Sequence, residues 1–225
     1  VEASSVLATH LTEIIKQHSA ELLTRQQVTR LLDNLKERSP KLVEEVVPDP
    51  IKTGDLQKVL QNLLRERVPI RDLETILETL ADWAPRTKDV DVLTEYVRHS
   101  MSRAICGTYR GEDGTIAVIT LDPQVEDLIN SHLERSDHGT YLTLPPATQG
   151  QLVTAVREQV EAALRSGIKT PVVLCSPQVR SWIRRLIESA MPYVAVLGYN
   201  EIVRGVEVRS QGMVVLNDEL ANVPG

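Results

Sequence analysis

Apolar residues recur along most of this chain at the spacing of a helix that buries one face. The clearest case runs from Leu56 to Pro85. Leu56, Val59, Leu60, Leu63 and Leu64 fall at i, i+3, i+4, i+7 and i+8, and Ile70, Leu73, Ile76, Leu77 and Leu80 repeat the pattern. Arg65-Glu66-Arg67-Val68-Pro69 separates the two stripes. Proline has no N–H and disfavours helix at the residue before it, so the first helix ends near Arg67. Ile70, or the Asp72 carboxylate, then meets the positive end of the second helix. The stretch carries no nucleophile, metal cluster or phosphate loop, and it reads as a folding and docking element.

Upstream, Val6, Leu7, Leu11, Ile14 and Ile15 mark an amphipathic helix over Ser5 to Gln17, with Ser4 or Ser5 as its cap. Thr24 and Gln27 form a capping-box pattern ahead of Val28, Leu31, Leu32 and Leu35. The short link His18 to Leu23 makes these a helical hairpin. Pro48-Asp49-Pro50 reads as a rigid turn at a subdomain boundary. Thr87-Lys88-Asp89 caps a further helix with the stripe Val90, Leu93, Val97, Met101 and Ile105, ending by Gly107. Gly111 to Gly114 is a turn, and Thr108 to Arg110 is placed to pair across it with the β-branched run Thr115 to Leu121 as a hairpin. Asp122-Pro123 opens a helix with Val125, Leu128, Ile129 and Leu133 inward, and Ser136 to Gly139 reads as a mobile polar loop.

The last third changes character. Thr148 and Gln151 form another capping-box pattern, before a helix carrying Leu152, Val156, Val160, Ala163 and Leu164, with Gly167 at its C-terminal cap. Pro171 to Cys175 is a short, continuously apolar strand of the kind covered on both faces. Ser176-Pro177 starts a helix to about Ala190, and Tyr193 to Leu197 is a second apolar strand, giving a βαβ-like unit. Val206, Val208 and Met213 to Leu216 add strand character, and Asn217 to Gly225 reads as a loose tail. The fold class is therefore α+β, predominantly α-helical, in several small subdomains of which the last is α/β.

The 225 residues suffice for one or two domains, or for several subdomains sharing a core. Aromatic residues make up only 3% and phenylalanine is absent, so the core is aliphatic. Few aromatics and a net charge of −6 argue against nucleic acid, which draws on stacking platforms and basic surface. Cys106 and Cys175 read as reduced buried thiols. No signal peptide opens the chain, and no apolar run reaches the ~18–20 residues of a membrane span.

Chemical constellations are sparse. His10, His18, His99, His132 and His138 form no zinc-type spacing. Ser176 sits at a strand-to-helix junction but lacks the glycines of a nucleophile elbow, and capping is the favoured reading. Arg180, Arg184 and Arg185 share a helix and read as a solvated face, with Arg184 and Glu188 an i, i+4 pair. Arg65, Arg67 and Arg71 cluster at the joint between the two central helices, where carboxylates such as Glu66, Asp72 and Glu74 are within reach. Leu22, Leu23, Val46 and Val47 lie at element ends and are candidates for partner contact at a cleft.

The segment LQKVLQNLLRERVPIRDLETILETLADWAP resembles the signature of the FlhA/InvA family, the export-gate proteins of flagellar and virulence type III secretion. SSVLATHLTEIIKQHSAELLTRQQVTRLLDNL, LTEYVRHSMSRAI and SPQVRSWIRRLIESAMPYVAVLGYNEI are similar to further family stretches in the same order. Gly198 departs from the pattern, since many relatives have Ser there, and reads as a tolerated turn change. The details favour the flagellar branch.

The resemblance implies a cytosolic portion of a membrane protein at the cytoplasmic face of the bacterial inner membrane, held there by N-terminal helices outside this sequence. It implies a helical second subdomain at 1–47, the remaining helix of a first subdomain at 48–67, a ring-forming third subdomain with a short hairpin at 68–147, an α/β subdomain at 148–217, and a tail at 218–225. It implies no enzymatic activity, no cofactor, no nucleic acid, association with other export apparatus proteins, and self-association into a ring, nonameric by analogy. Export chaperone–substrate complexes would enter a cleft near Ala20, Leu22, Leu23 and Gly54. Arg65, Arg67, Pro69 and Arg71 would form an inter-subdomain hinge. Relatives often carry an aromatic where Leu23 stands, so the pocket here is aliphatic. The alternatives are the equivalent component of a virulence system and, on the residues alone, an α/β enzyme using Ser176 or Arg180.

Overall fold

A computed structural model describes residues 3–136 and 139–216, and the expected tail at Asn217 to Gly225 lies outside the described residues. The chain divides into two compact units, Val1–Ile105 and Cys106–Gly225. The architecture is α+β and predominantly helical.

The first unit is helical. Its elements are α1 (Ala3–Leu22), α2 (Arg25–Lys36), α3 (Pro40–Val46), α4 (Thr53–Arg65), α5 (Leu73–Trp83) and α6 (Val90–Ser100), followed by α7 (Ser102–Tyr109), within which the units divide. α4 is the hub, packing against α1, α2 and α6. Leu56, Val59, Leu60 and Leu63 of its stripe are fully buried, as are Ile76, Leu77 and Leu80 of α5. α5 starts at Leu73 because the Asp72 carboxylate accepts from the Thr75 N–H at 3.1 Å. Thr24 and Gln27 make the reciprocal capping box at the start of α2, and the Asp89 carboxylate caps α6.

α1 runs on to Leu22, so its link to α2 is only Leu23-Thr24. Its stripe is also not core: Val6, Leu7, Leu11, Ile14 and Ile15 are 41–68% exposed. Val46, expected at a partner surface, is fully buried. The single helix expected from Val90 to Ile105 breaks at Met101. There the Ser100 and Ser102 hydroxyls donate back to the Val97 and His99 carbonyls, in competition with the helical ladder.

The second unit holds a four-stranded parallel sheet in the order β5-β4-β1-β6. Its strands are β1 (Thr115–Leu121), β4 (Val172–Cys175), β5 (Ala195–Gly198) and β6 (Glu207–Val214). A separate antiparallel pair is made by β2 (Leu133–Ser136) and β3 (Gly139–Leu142). α8 (Pro123–Ser131), α9 (Pro146–Arg165) and α10 (Pro177–Ile187) complete the unit. Val125 and Ile129 of α8, Val156 and Val160 of α9, and Val179 and Ile183 of α10 form one core with Ile119, Val173, Cys175 and Val196 of the sheet. All of β4 is buried, as a strand covered on both faces must be. The βαβ reading of β4, α10 and β5 holds, with Val172 to Cys175 in parallel register with Ala195 to Gly198.

Three local expectations are corrected. Thr108 and Tyr109 end helix α7 rather than pairing with β1, and both sides of β1 are taken by β4 and β6. Those parallel partners lie far away in sequence, where no local turn signal reports them. Ser136 and Gly139 end the strands of a hairpin rather than lying in a loop; Asp137 and His138 lie outside the described residues. α9 begins at Pro146, so Thr148 lies inside it and caps nothing; proline at the first helical position sets an earlier start.

Leu63 makes no contact with solvent, so Leu63→Ala should lower unfolding stability by about 2–5 kcal/mol. Chemical denaturation monitored by circular dichroism measures this, and an unchanged midpoint would contradict the packing described.

Candidate functional site

α1 and α2 meet in an open groove of about 400 Å³, lined by Ile15, Ser19, Leu22, Leu23, Gln27, Arg30 and Leu31. Its position follows from local chemistry. α1 ends at Leu22, and the turn is held by a Thr24 N–H bond to the Leu22 carbonyl at 3.0 Å. The Leu23 carbonyl points to α4, where Gln57 Nε2 and Gln61 Nε2 donate to it at 2.9 and 3.1 Å. That pair of bonds satisfies the backbone at the turn and fixes Leu23, 7% exposed, at the groove floor. Leu22, 53% exposed, stands at its wall.

Of the cleft residues expected from sequence, Leu22 and Leu23 therefore share this groove. Ala20 is buried in the last turn of α1 and is not part of the lining. Gly54 lies in the first turn of α4, where a β-carbon would sit 3.0 Å from the Arg25 guanidinium. Ile15, Ser19, Gln27, Arg30 and Leu31 were missed. Ile15 and Leu31 belong to stripes that periodicity assigns to the core, and their half-exposed edge is visible only once the crossing of α1 and α2 is known.

At the α4–α5 joint, Arg65 Nη1 donates to Asn62 Oδ1 at 2.7 Å within its own helix. Arg67 adopts a left-handed φ of 58° and reaches Glu13 of α1 at 3.5 Å. The Lys16 ammonium, by hydrogen bond and by charge, and then Arg67 hold the Glu13 carboxyl below its ordinary value. Pro69 and Arg71 are exposed, while Val68 just before them is buried. Glu66, expected near the joint arginines, instead pairs with Arg98 of α6 at 3.1 Å, with the Arg98 side chain 2% exposed.

The second unit offers little that resembles an enzyme site. Arg180 and Arg184 are not a solvated face. Both are buried; Arg180 donates to the Val196 carbonyl, and Arg184 to those of Val194 and Pro192, at 3.2–3.4 Å. α10 packs against β5, and the two guanidinium forks donate to these carbonyls. Arg185 points outward over the Trp182 ring at 4.8 Å. Ser176 precedes α10 but its hydroxyl makes no capping bond; its N–H donates to Glu126 Oε1 at 2.9 Å. A carboxylate there is acceptor-only when ionised and is a poor neighbour for an anionic intermediate. A second concavity of about 460 Å³, near the Arg209–Asp113 ion pair at 3.4 Å, carries charges of both signs. Among the described residues, no group of His, Cys, Asp or Glu is placed to hold a metal, and no helix is long and apolar enough to cross a membrane.

The FHIPEP family profile matches residues 1–207. The chain belongs to the FHIPEP family. It is 44% identical over 215 residues to the flagellar biosynthesis protein FlhA of Bacillus subtilis strain 168, an alignment covering 95% of this chain and 32% of that protein. It thus spans about a third of the length of this FHIPEP relative. The fold matches the Chlamydia pneumoniae CdsV protein with a TM-score of 0.87 at 31% identity, over 93% of this chain and 60% of that one. CdsV has also been solved in complex with CdsO. The nonameric SctV-C of EPEC matches with a TM-score of 0.81 at 27% identity, over 91% of this chain and 61% of that one. The resemblance carried by the central helices is thereby shown at the level of the family. Gly198, the departure noted above, ends β5 with an ordinary extended backbone, and a β-carbon there would press on the Asn200 side chain.

Removing one partner of the Glu66–Arg98 pair leaves a guanidinium buried without its carboxylate. Glu66→Ala should therefore cost about 3–5 kcal/mol, read as a lowered denaturation midpoint. A loss under about 1 kcal/mol, as for an exposed ion pair, would show that the pair does not hold the joint.

Proposed function

We propose that the chain is part of the non-enzymatic cytosolic platform of the flagellar type III protein export gate. It receives export chaperone–substrate complexes at the α1–α2 groove and self-associates into a ring at the cytoplasmic face of the bacterial inner membrane. The observation that carries the docking reading is the groove itself: an open, mainly apolar concavity whose floor residue is tied to the buried hub helix. Its residues make a binding surface and contain no acid–base pair or nucleophile. The ring reading is supported by likeness to a nonameric relative, and association with other export apparatus proteins by likeness to CdsV, which was solved with CdsO. The flagellar assignment is supported by 44% identity to FlhA, against 27–31% for CdsV and SctV-C. A virulence export gate is the second reading.

Within this reading, residues 1–47 form the second subdomain, 48–67 complete the first, 68–147 form the ring-making third, 148–217 the fourth, and 218–225 the tail. The α4–α5 joint at Arg65, Arg67, Pro69 and Arg71 is a hinge between chaperone docking and ring contacts. Ala20 and Gly54 support the cleft from behind, Ala20 by leaving room in the last turn of α1 and Gly54 by admitting Arg25.

Calorimetric titration with a cognate export chaperone–substrate complex should show saturable binding that a Leu22→Ser, Leu31→Ser double variant weakens at least tenfold, about the loss for two apolar contacts at the centre of an interface. Absence of binding, or binding indifferent to the double variant, would contradict the groove assignment. An Arg67→Ala, Arg71→Ala double variant should alter secretion of late substrates and the solution-scattering profile of the chain. Indistinguishable secretion and scattering would remove the hinge.

A further inference from the structure

The geometry points to a specificity determinant in this groove: Arg30 selects a partner helix whose apolar face is flanked by carboxylates. The inference rests on the docking reading above and adds the chemistry of the occupant. The occupant is a helix because of what the groove lacks. Its walls are α1 and α2, whose backbone groups away from the helix ends are bonded inside their own helices. At the turn, the Leu22 carbonyl accepts from the Thr24 N–H, the Leu23 carbonyl is taken by Gln57 and Gln61, and the Thr24 N–H also donates to the Gln27 side chain at 2.8 Å. An extended segment would lay unpaired N–H and C=O groups on this surface, whereas a helix brings its own bonds and offers only side chains.

The charge preference follows from the rim. Ser19 donates its hydroxyl to the Lys16 carbonyl, and Gln27 is engaged in the capping box. Lys16 is matched by Glu13 at 3.0 Å and Lys36 by Glu44 at 2.9 Å, while Arg25 lies against Gly54 of α4 and is not part of the lining. Arg30 is exposed, lines the groove one turn beyond Gln27, and has no ion pair among the described residues. A carboxylate on the flank of a docked helix is its complement, and the planar fork can engage it in a bidentate manner. The chain as a whole carries −6. Its long-range field therefore favours basic peptides, and preference for an acidic one must be local.

Fluorescence anisotropy tests this with three labelled helical peptides of about 16 residues, roughly 24 Å long. They share one apolar face and differ in carrying Glu, Gln or Lys on its flanks. The wild-type chain should bind the Glu peptide about three- to fivefold tighter than the Gln peptide, a margin typical of an exposed ion pair. Arg30→Gln should bring that ratio to about one and Arg30→Glu should invert it, with melting curves unchanged. A ratio that survives Arg30→Gln, or a wild-type preference for the Lys peptide, overturns the role of Arg30 while leaving the groove intact. A Gln peptide that fails to bind, or that binds a Leu22→Ser, Leu31→Ser variant equally well, overturns the docking reading itself. A proline-interrupted Glu peptide that binds as tightly as the parent overturns a helical occupant. Self-association of the chain abolished by Leu22→Ser places a second copy in the groove instead.

Discussion

The first unit depends on the burial of α4. Leu56, Val59, Leu60 and Leu63 are wholly removed from water, each contributing about 1.5–3 kcal/mol. α1, α2 and α6 all pack against this helix. Its polar residues then place the surface that α1 and α2 present. Gln57 and Gln61 bond the Leu23 carbonyl, which pins the one turn where the chain reverses between groove walls. At its C-terminal end Glu66 reaches the buried Arg98. One amphipathic helix thus couples core, groove and joint, and a change on its apolar face propagates to all of them.

The second unit solves a different problem. A short parallel sheet must satisfy the carbonyls at its strand ends, where β5 enters beside α10. Arg180 and Arg184 do so from inside the protein, their forks donating to the alternate carbonyls of Pro192, Val194 and Val196. The Glu201 carboxylate completes the corner by accepting the Gly198 N–H at 2.7 Å. Buried charge here is used to terminate a strand, and it accounts for arginines that a sequence pattern assigns to solvent.

The stripes of α2, α4 and α5, and the Val90–Val97 part of the next, were legible in sequence because helical periodicity there is backed by caps at Thr24, Asp72 and Asp89 and by Pro69 after α4. The βαβ unit was legible because Ser176-Pro177 separates two apolar runs. The failures share a cause: long-range geometry that local pattern does not encode. β1 looked like half of a hairpin because its real partners are far away in sequence. The stripe of α1 looked like core but stays exposed. Arg180 looked solvated because nothing local announces acceptor carbonyls across a loop. The groove was half legible: Leu22 and Leu23 stood out at an element end, whereas Ile15, Arg30 and Leu31 join them only through the crossing of two helices.

Family membership, an open and mainly apolar groove bearing Arg30, and a buried hub helix behind it all support the docking reading proposed above. The docking reading calls for a groove floor held still, and the α4 glutamines bond the Leu23 carbonyl there. Hydrogen–deuterium exchange with and without a cognate export chaperone–substrate complex tests this most directly. The account predicts slowed amide exchange on binding that is concentrated between Ile15 and Leu31, on both groove walls. Protection confined to the second unit, Cys106 onward, or no change across α1 and α2, would contradict it.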